Sequence, residues 1–491
     1  MIQRSSGILL ACSSIPSPYG IGSFGEDARA WLRFLKLAGQ KYWQILPLGV
    51  TGWGDSPYQS FSAFAISPYY IDLDTLCTDG LLEKNVFEKI AWGRNKEKVN
   101  YSILYKHRKK ILPLAFEKFS GGAAFDQFRH ENERWLSDYA LFMALKAYHK
   151  GISWTDWEDE YRLRSARALE KFKSSKKKLI EYYYIEQYFA FSQWRALREY
   201  ANKTGISVIG DMPIYVALDS ADVWAHPELF ELDAELKPIR VAGCPPDPFS
   251  ATGQLWGNPL YRWDVHKVDG FYWWLSRLKE SFALFDVIRI DHFRGFESYY
   301  AINYGEKDAR KGQWIKGPDR DFIDAVRNAI PDAAIIAEDL GYITQELKAL
   351  LDYSGFPGMK VLQFAFDSRE SGDYMPYTYN SNCVVYTGTH DNTTSAGWFK
   401  SARREDIVQA LDYFDIKTAN NGHWTFIRGA LASVAALAII PMQDYLGLDN
   451  RARMNTPSLL GNNWQWRMKC GAINEALSEK IARLTSLYGR V

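Results

Sequence analysis

The sequence predicts an α/β protein, a (β/α)8 TIM barrel with a large, mostly helical insertion and long active-site loops. Three observations point there. About eight short, β-branched apolar runs are mostly separated by amphipathic helical segments, the pattern of a parallel sheet. None is followed by the glycine-rich fingerprint of a dinucleotide-binding open sheet. Several runs end in acidic residues, which a closed barrel would gather at one mouth. A doubly wound sheet with a helical second domain is the alternative arrangement.

The elements follow in chain order. The run Ile8-Leu9-Leu10-Ala11-Cys12 is shorter than the apolar core of a secretion signal, and Arg4 is the only charge before it. It reads as a first strand or loop. Ala28, Trp31, Leu32, Leu35 and Ala38 share one face of a helix that Gly39 stops. Strands are expected at 42–46 and 69–73. Between them, 49–59 is a Gly/Ser/Pro-rich loop too long for a mere connector. Residues 75–187 are rich in Lys, Glu and aromatics at helical spacing and read as a helical insertion in a single 1–491 barrel. Its lysine run, Lys171 to Lys178, reads as a solvated helix face because acidic residues flank it.

After the insertion a helix with Ala190, Trp194, Leu197 and Ala201 inward leads to a strand at 207–210. A Pro/Gly-rich excursion, 219–261, reads as a long active-site loop. Next come a helix at 272–282 and a strand from Val287. Helix 322–329 then precedes strand 334–337, and helix 344–353 precedes strand 359–364. The last elements are a strand at 383–387, helices at 405–413 and 427–435, and a strand at 437–441.

The net charge is +1, from 59 basic and 58 acidic residues. That balance gives no general pull toward nucleic acid or anionic membrane. No stretch approaches the roughly 20 apolar residues of a membrane span. The five cysteines are odd in number and well separated, so neither a disulfide framework nor a zinc site is expected, and a cytoplasmic location is. Aromatic residues make up 15% of the chain. Rings with polar tips suit hydroxylated ligands such as sugars, although most will be core.

Four strand ends carry the chemistry. They are Gly210-Asp211, Arg289-Ile290-Asp291-His292, Ala337-Glu338-Asp339 and Thr387-Gly388-Thr389-His390-Asp391. Arg289 and Asp291 are two apart, so they point to one side of a strand, and a guanidinium there favours the ionised carboxylate. Such a pair could merely fix a loop. Carboxylates converging from four strands would repel one another, so the cluster must hold a cation or do chemistry that uses charge. Arg289 and Arg294 already supply positive charge, which argues against a catalytic metal. Glycoside chemistry needs one carboxylate as nucleophile and one carboxylic acid to protonate the leaving oxygen. Asp291 and Glu338 suit those parts. Glu338's pKa is expected to be raised by neighbouring negative charge. Asp391 and His390 could grip sugar hydroxyls. Asp339, on the opposite side of its strand from Glu338, reads as a supporting group.

These segments, in this order, resemble the motifs of the α-amylase superfamily, and in detail its 4-α-glucanotransferase (amylomaltase) branch. Ser56-Pro57-Tyr58-Gln59, Leu255-Trp256-Gly257-Asn258-Pro259, Arg453-Met454-Asn455-Thr456-Pro457 and Asn463-Trp464-Gln465-Trp466-Arg467 match as well. The match runs from Gly7 to Arg467. The resemblance implies Asp291 as nucleophile, Glu338 as general acid/base and Asp391 as the third, transition-state-stabilising carboxylate. It implies sugar-contacting roles for Tyr58, Asp211, Arg289, His390, Asn463 and Trp464. It also implies that Asp247, Phe249, Gln254 and Asn258 lie on a loop arching over the donor and acceptor sugars. Transfer of α-1,4-glucan segments by a retaining double displacement is then expected, with no cofactor and no metal. The partners are donor and acceptor glucans, with no nucleic acid or membrane. A hydrolase using the same carboxylates, or a non-catalytic glucan-binding protein, are the alternatives.

Overall fold

The computed structural model describes residues 3–52, 54–246, 250–341, 343–369, 372–459 and 461–491. Among the described residues, twelve strands fall into two sheets. The larger holds β1 (Ser5–Leu9), β2 (Tyr42–Gln44), β3 (Ser207–Pro213), β6 (Val287–Asp291), β9 (Ile335–Ala337), β10 (Gly358–Val361), β11 (Cys383–Tyr386) and β12 (Leu437–Pro441). Their order is β10-β11-β12-β1-β2-β3-β6-β9, and every pairing is parallel. The ring closes between its two ends, where Ala337 N–H donates to Pro357 O at 2.9 Å and Met359 N–H to Asp339 Oδ1 at 2.7 Å. The sequence-based barrel is therefore the observed fold. Strands enclosed on both faces need apolar residues throughout, which is why β12 reads Leu-Ala-Ile-Ile-Pro and is buried at every position.

The first helix, Glu26–Leu37, buries the predicted face, and Gly39 beyond its end sits at φ +68, where a side chain would be strained. Helices Tyr101–Lys118, Ala123–Tyr148 and Ala166–Ser175 lie within 75–187. The next, Lys177–Lys203, runs unbroken past residue 187 and leads into β3. Lys146, almost fully buried, holds Asp219 at 2.5 Å and so ties the insertion to the segment after β3.

Three expectations need correction. The 69–73 strand is instead a 3-10 turn, Pro68–Tyr70, and a helix, Leu73–Thr78. Pro68 pre-sets the turn, and Asp72 caps the helix by accepting Thr75 N–H at 2.8 Å. Strand 359–364 ends early: Gly358–Val361 is strand and Leu362–Phe366 a 3-10 turn. The 219–261 excursion is more than loop. It supplies β4 (Arg240–Cys244) and β5 (Gln254–Pro259), which join β7 (Ser298–Asn303) and β8 (Gly312–Lys316) in an antiparallel sheet ordered β5-β4-β7-β8. Its strand β7 follows β6 after the short 3-10 turn Phe293–Phe296. No helix among the described residues is long and apolar enough to cross a membrane.

Candidate active site

The register between β3 and β6 sets Asp211 directly opposite Arg289. Residues paired this way share a face. Arg289 Nη1 donates to Asp211 Oδ1 at 2.7 Å and lies 2.9 Å from Asp291 Oδ1. The guanidinium is buried, and its two carboxylates outweigh burial and hold its pKa well above the usual range. Asp291, at the very end of its strand, keeps 29% of its side chain exposed, enough to meet a ligand at the mouth. Asp211 is fully enclosed. Burial pushes its pKa up and Arg289 opposes that.

Just beyond β9, Glu338 lies against the chain that follows Asp291. Its Oε2 accepts His292 N–H at 2.7 Å and its Oε1 accepts Leu340 N–H at 2.8 Å. Its pKa is pushed up to about 8, first by burial and second by the charge of Asp291. Arg289 and the two N–H groups work the other way and lose. The direction matches expectation, but the leading cause is burial rather than neighbouring charge. The raised pKa favours a protonated Glu338 beside an ion-paired Asp291. Asp339 accepts Met359 N–H, which makes it part of the barrel seam.

The third carboxylate arrives on the loop after β11. His390 Nε2 is 3.3 Å from Asp391 Oδ2. Asn455 Nδ2 donates to Asp391 Oδ1 at 2.6 Å, and Arg453 Nη2 donates to the Asp391 carbonyl. Tyr58 joins the two sides of the mouth. Its hydroxyl donates to Asp211 Oδ2 at 2.7 Å and lies 2.9 Å from His390 Nε2, and its ring stacks on His390 with 5.3 Å between centroids. Trp464 packs against Tyr58 and His390 at 5.6 and 6.0 Å.

The remaining candidates are more peripheral. Gln254 Oε1 accepts Trp256 Nε1–H at 3.1 Å on β5. Asn258 is buried, donating to Val216 O at 2.8 Å and accepting from Gln59 at 2.9 Å, so it fastens β5 to the barrel. Asn463 accepts Thr456 N–H at 3.0 Å and donates to Leu459 O at 2.9 Å, bracing its own loop. Asp247 and Phe249 lie outside the described residues.

Two residues without an assigned sugar contact in the sequence reading also belong to the mouth. His292 follows Asp291 with φ 53, a left-handed conformation unusual for a residue with a side chain. That turn aims its N–H at Glu338 and packs its ring edge-on to Trp256 at 4.8 Å. Burial lowers the His292 pKa to about 4, so the imidazole is neutral. Its Nε2 is buried with no partner among the described residues. The adjacency to Asp291 in sequence was the available signal.

A closed barrel with an ion-paired carboxylate, a buried carboxylic acid of raised pKa and a hydrogen-bonded third carboxylate at its mouth defines an enzyme of glycosidic-bond chemistry. The 4-alpha-glucanotransferase family model matches residues 10–473, and the chain belongs to that family. The 4-alpha-glucanotransferase of Clostridium butyricum is 49% identical over 482 residues, covering 97% of this chain and 99% of its own. The amylomaltase of Streptococcus agalactiae, solved in complex with acarbose, superposes with a TM-score of 0.97 at 39% identity, covering 99% of this chain and 100% of its own. The α-amylase of Geobacillus thermoleovorans, at 10% identity and a TM-score of 0.51 over 100% of this chain and 80% of its own, shares the fold.

Proposed function

We propose that this 4-α-glucanotransferase works by a retaining double displacement with Asp291 as nucleophile and Glu338 as general acid and base. Asp291 attacks the anomeric carbon of an α-1,4-glucan while Glu338 gives its proton to the departing 4-oxygen. A covalent glucosyl-enzyme results, and the leaving segment departs with that proton. Glu338, now ionised, takes the proton from the 4-hydroxyl of an acceptor glucan, which attacks the same carbon and frees Asp291.

One observation carries this reading: a buried carboxylic acid, Glu338, accepts the N–H of the residue next to an ion-paired carboxylate, and burial pushes its pKa up. Asp391, His390, Asp211, Arg289 and Tyr58 are the groups we assign to the donor sugar. Trp464 walls them. Gln254, Asn258 and Asn463 then act through the loops they brace, and Asp247 and Phe249 keep their proposed sugar contacts. Trp256 and His292 cover the reacting centre, where exclusion of water favours the sugar acceptor over hydrolysis. The helical segment 75–187 and the strand-bearing segment 219–261 are read as insertions in one catalytic barrel. Five free cysteines favour a reducing, cytoplasmic setting.

Incubation with maltotriose tests the activity. Transfer yields glucose and longer chains with the total of reducing ends constant. Hydrolysis raises that total.

A further inference from the structure

Asp444 follows β12 in the short helix Met442–Tyr445 and is 1% exposed. Its Oδ2 accepts the hydroxyls of Thr387 and Ser395, each at 2.6 Å, and its Oδ1 accepts Ser395 N–H at 2.6 Å. Thr387 follows directly on β11, and Ser395 opens the helix Ser395–Ser401. His390 and Asp391 lie midway between them. One carboxylate thus clamps both ends of the loop that presents those two groups. The chain leaving Asp444 also supplies Arg453 and Asn455, which hold the same loop at its tip: Asn455 N–H donates to His390 O at 3.1 Å, alongside the two contacts to Asp391. Asp444 and His390 line one cavity at the top of the barrel.

We infer that Asp444 is a positioning residue for glucan transfer: its buried carboxylate sets where His390 and Asp391 meet the donor sugar. The inference rests on the proposed role of Asp391. Three donors converge on the carboxylate, and all are neutral. Two are hydroxyls, which can accept as readily as donate. An asparagine can therefore reproduce the clamp, accepting Ser395 N–H through Oδ1 and donating to both hydroxyls through Nδ2. An alanine cannot, and the loop ends are then free to shift. Displacements near 1 Å at a reacting centre cost on the order of 100-fold in rate.

The test is a double-mutant cycle on maltotriose disproportionation. Asp444→Ala is expected to lower kcat about 10–100-fold with a smaller change in KM, and Asp444→Asn to restore it to within about threefold. In an Asp391→Asn background, Asp444→Ala should add less than about threefold, because the group it positions is already disabled. Equal losses in the Ala and Asn variants overturn the clamp. So does a full, additive loss in the Asp391→Asn background. Full turnover in Asp391→Asn alone overturns the role of Asp391 and the inference with it. If Asp444→Ala does not fold by circular dichroism, Thr387→Val with Ser395→Ala removes the two hydroxyl arms and enters the same cycle, with the same outcomes deciding.

Discussion

Two buried arginines, one at each end of the barrel, show how differently the same side chain is used. At the mouth, Arg289 faces Asp211 and Asp291, and those charges hold its pKa far above the ordinary value. At the floor, where β1 and β12 begin, Arg490 is 0% exposed and donates mostly to backbone carbonyls, with no carboxylate among its hydrogen-bond partners in the described residues. It donates to Leu431 at 2.7 Å, Ser5 at 2.9 Å, and Ser433 and Ala435 at 3.0 Å. Burial pulls its pKa down to about 9. Arg4 adds further donations to Ser433 and Leu431 there. The floor guanidinium satisfies carbonyls at the end of the helix Gly422–Ala432, just before β12 and at the start of β1. The mouth guanidinium organises carboxylates. On the proposed mechanism the first arrangement serves stability and the second chemistry.

The division can be broken most sharply by Asp291→Asn. Turnover on maltotriose should fall by ~10^4-fold or more while thermal melting stays near that of the parent. Retained turnover, or unfolding in proportion to the lost activity, would erase the contrast. Arg490→Met is the mirror experiment. It strands several buried carbonyls and is expected to cost about 2–4 kcal/mol, read as a lower Tm, with kcat unchanged below the melting range. A fall in kcat without a fall in Tm would move the floor arginine into the catalytic account.

Proton occupancy at Glu338 sharpens the mouth. In the proposed mechanism Glu338 must be protonated to assist departure, so the kcat/KM profile should have a basic limb near pH 8, falling about tenfold per pH unit beyond it. The stability sign is fixed by the same shift. Between the ordinary value of 4.5 and about 8 the folded chain holds a proton that the unfolded chain has lost. Stability therefore declines as pH rises through that window, and Glu338→Gln should flatten this decline in Tm against pH. The smallest expected effect is that of Tyr58→Phe. Loss of the hydroxyl linking Asp211 and His390 should lower kcat by roughly 5–10-fold with little change in Tm.

Much of the site was legible from the residues. Arg289 and Asp291 point together because strand side chains alternate, and the pair is found as expected. Acidic residues at Asp211, Glu338 and Asp391 marked three more strand ends. The second sheet was not legible. β8 is mostly exposed and β5 alternates with polar and glycine positions, so neither carries the apolar run that betrays a buried strand. The 69–73 stretch misled because a short apolar run suits strand or helix alike, and the cap at Asp72 decided between them.

The amino-acid order by itself determined the alternation of strands and helices, the side-chain types at each strand end and the pairing of Arg289 with Asp291, all consequences of local periodicity. Tertiary structure alone decided the rest. Burial at the mouth, more than any neighbouring charge, raises the pKa of Glu338. The left-handed turn at His292 joins two strands far apart in sequence. Asp444 gathers a loop whose ends come from a strand and a helix it does not adjoin. Each depends on solvent exclusion or on contacts across long stretches of chain, and neither has a period that a sequence can display.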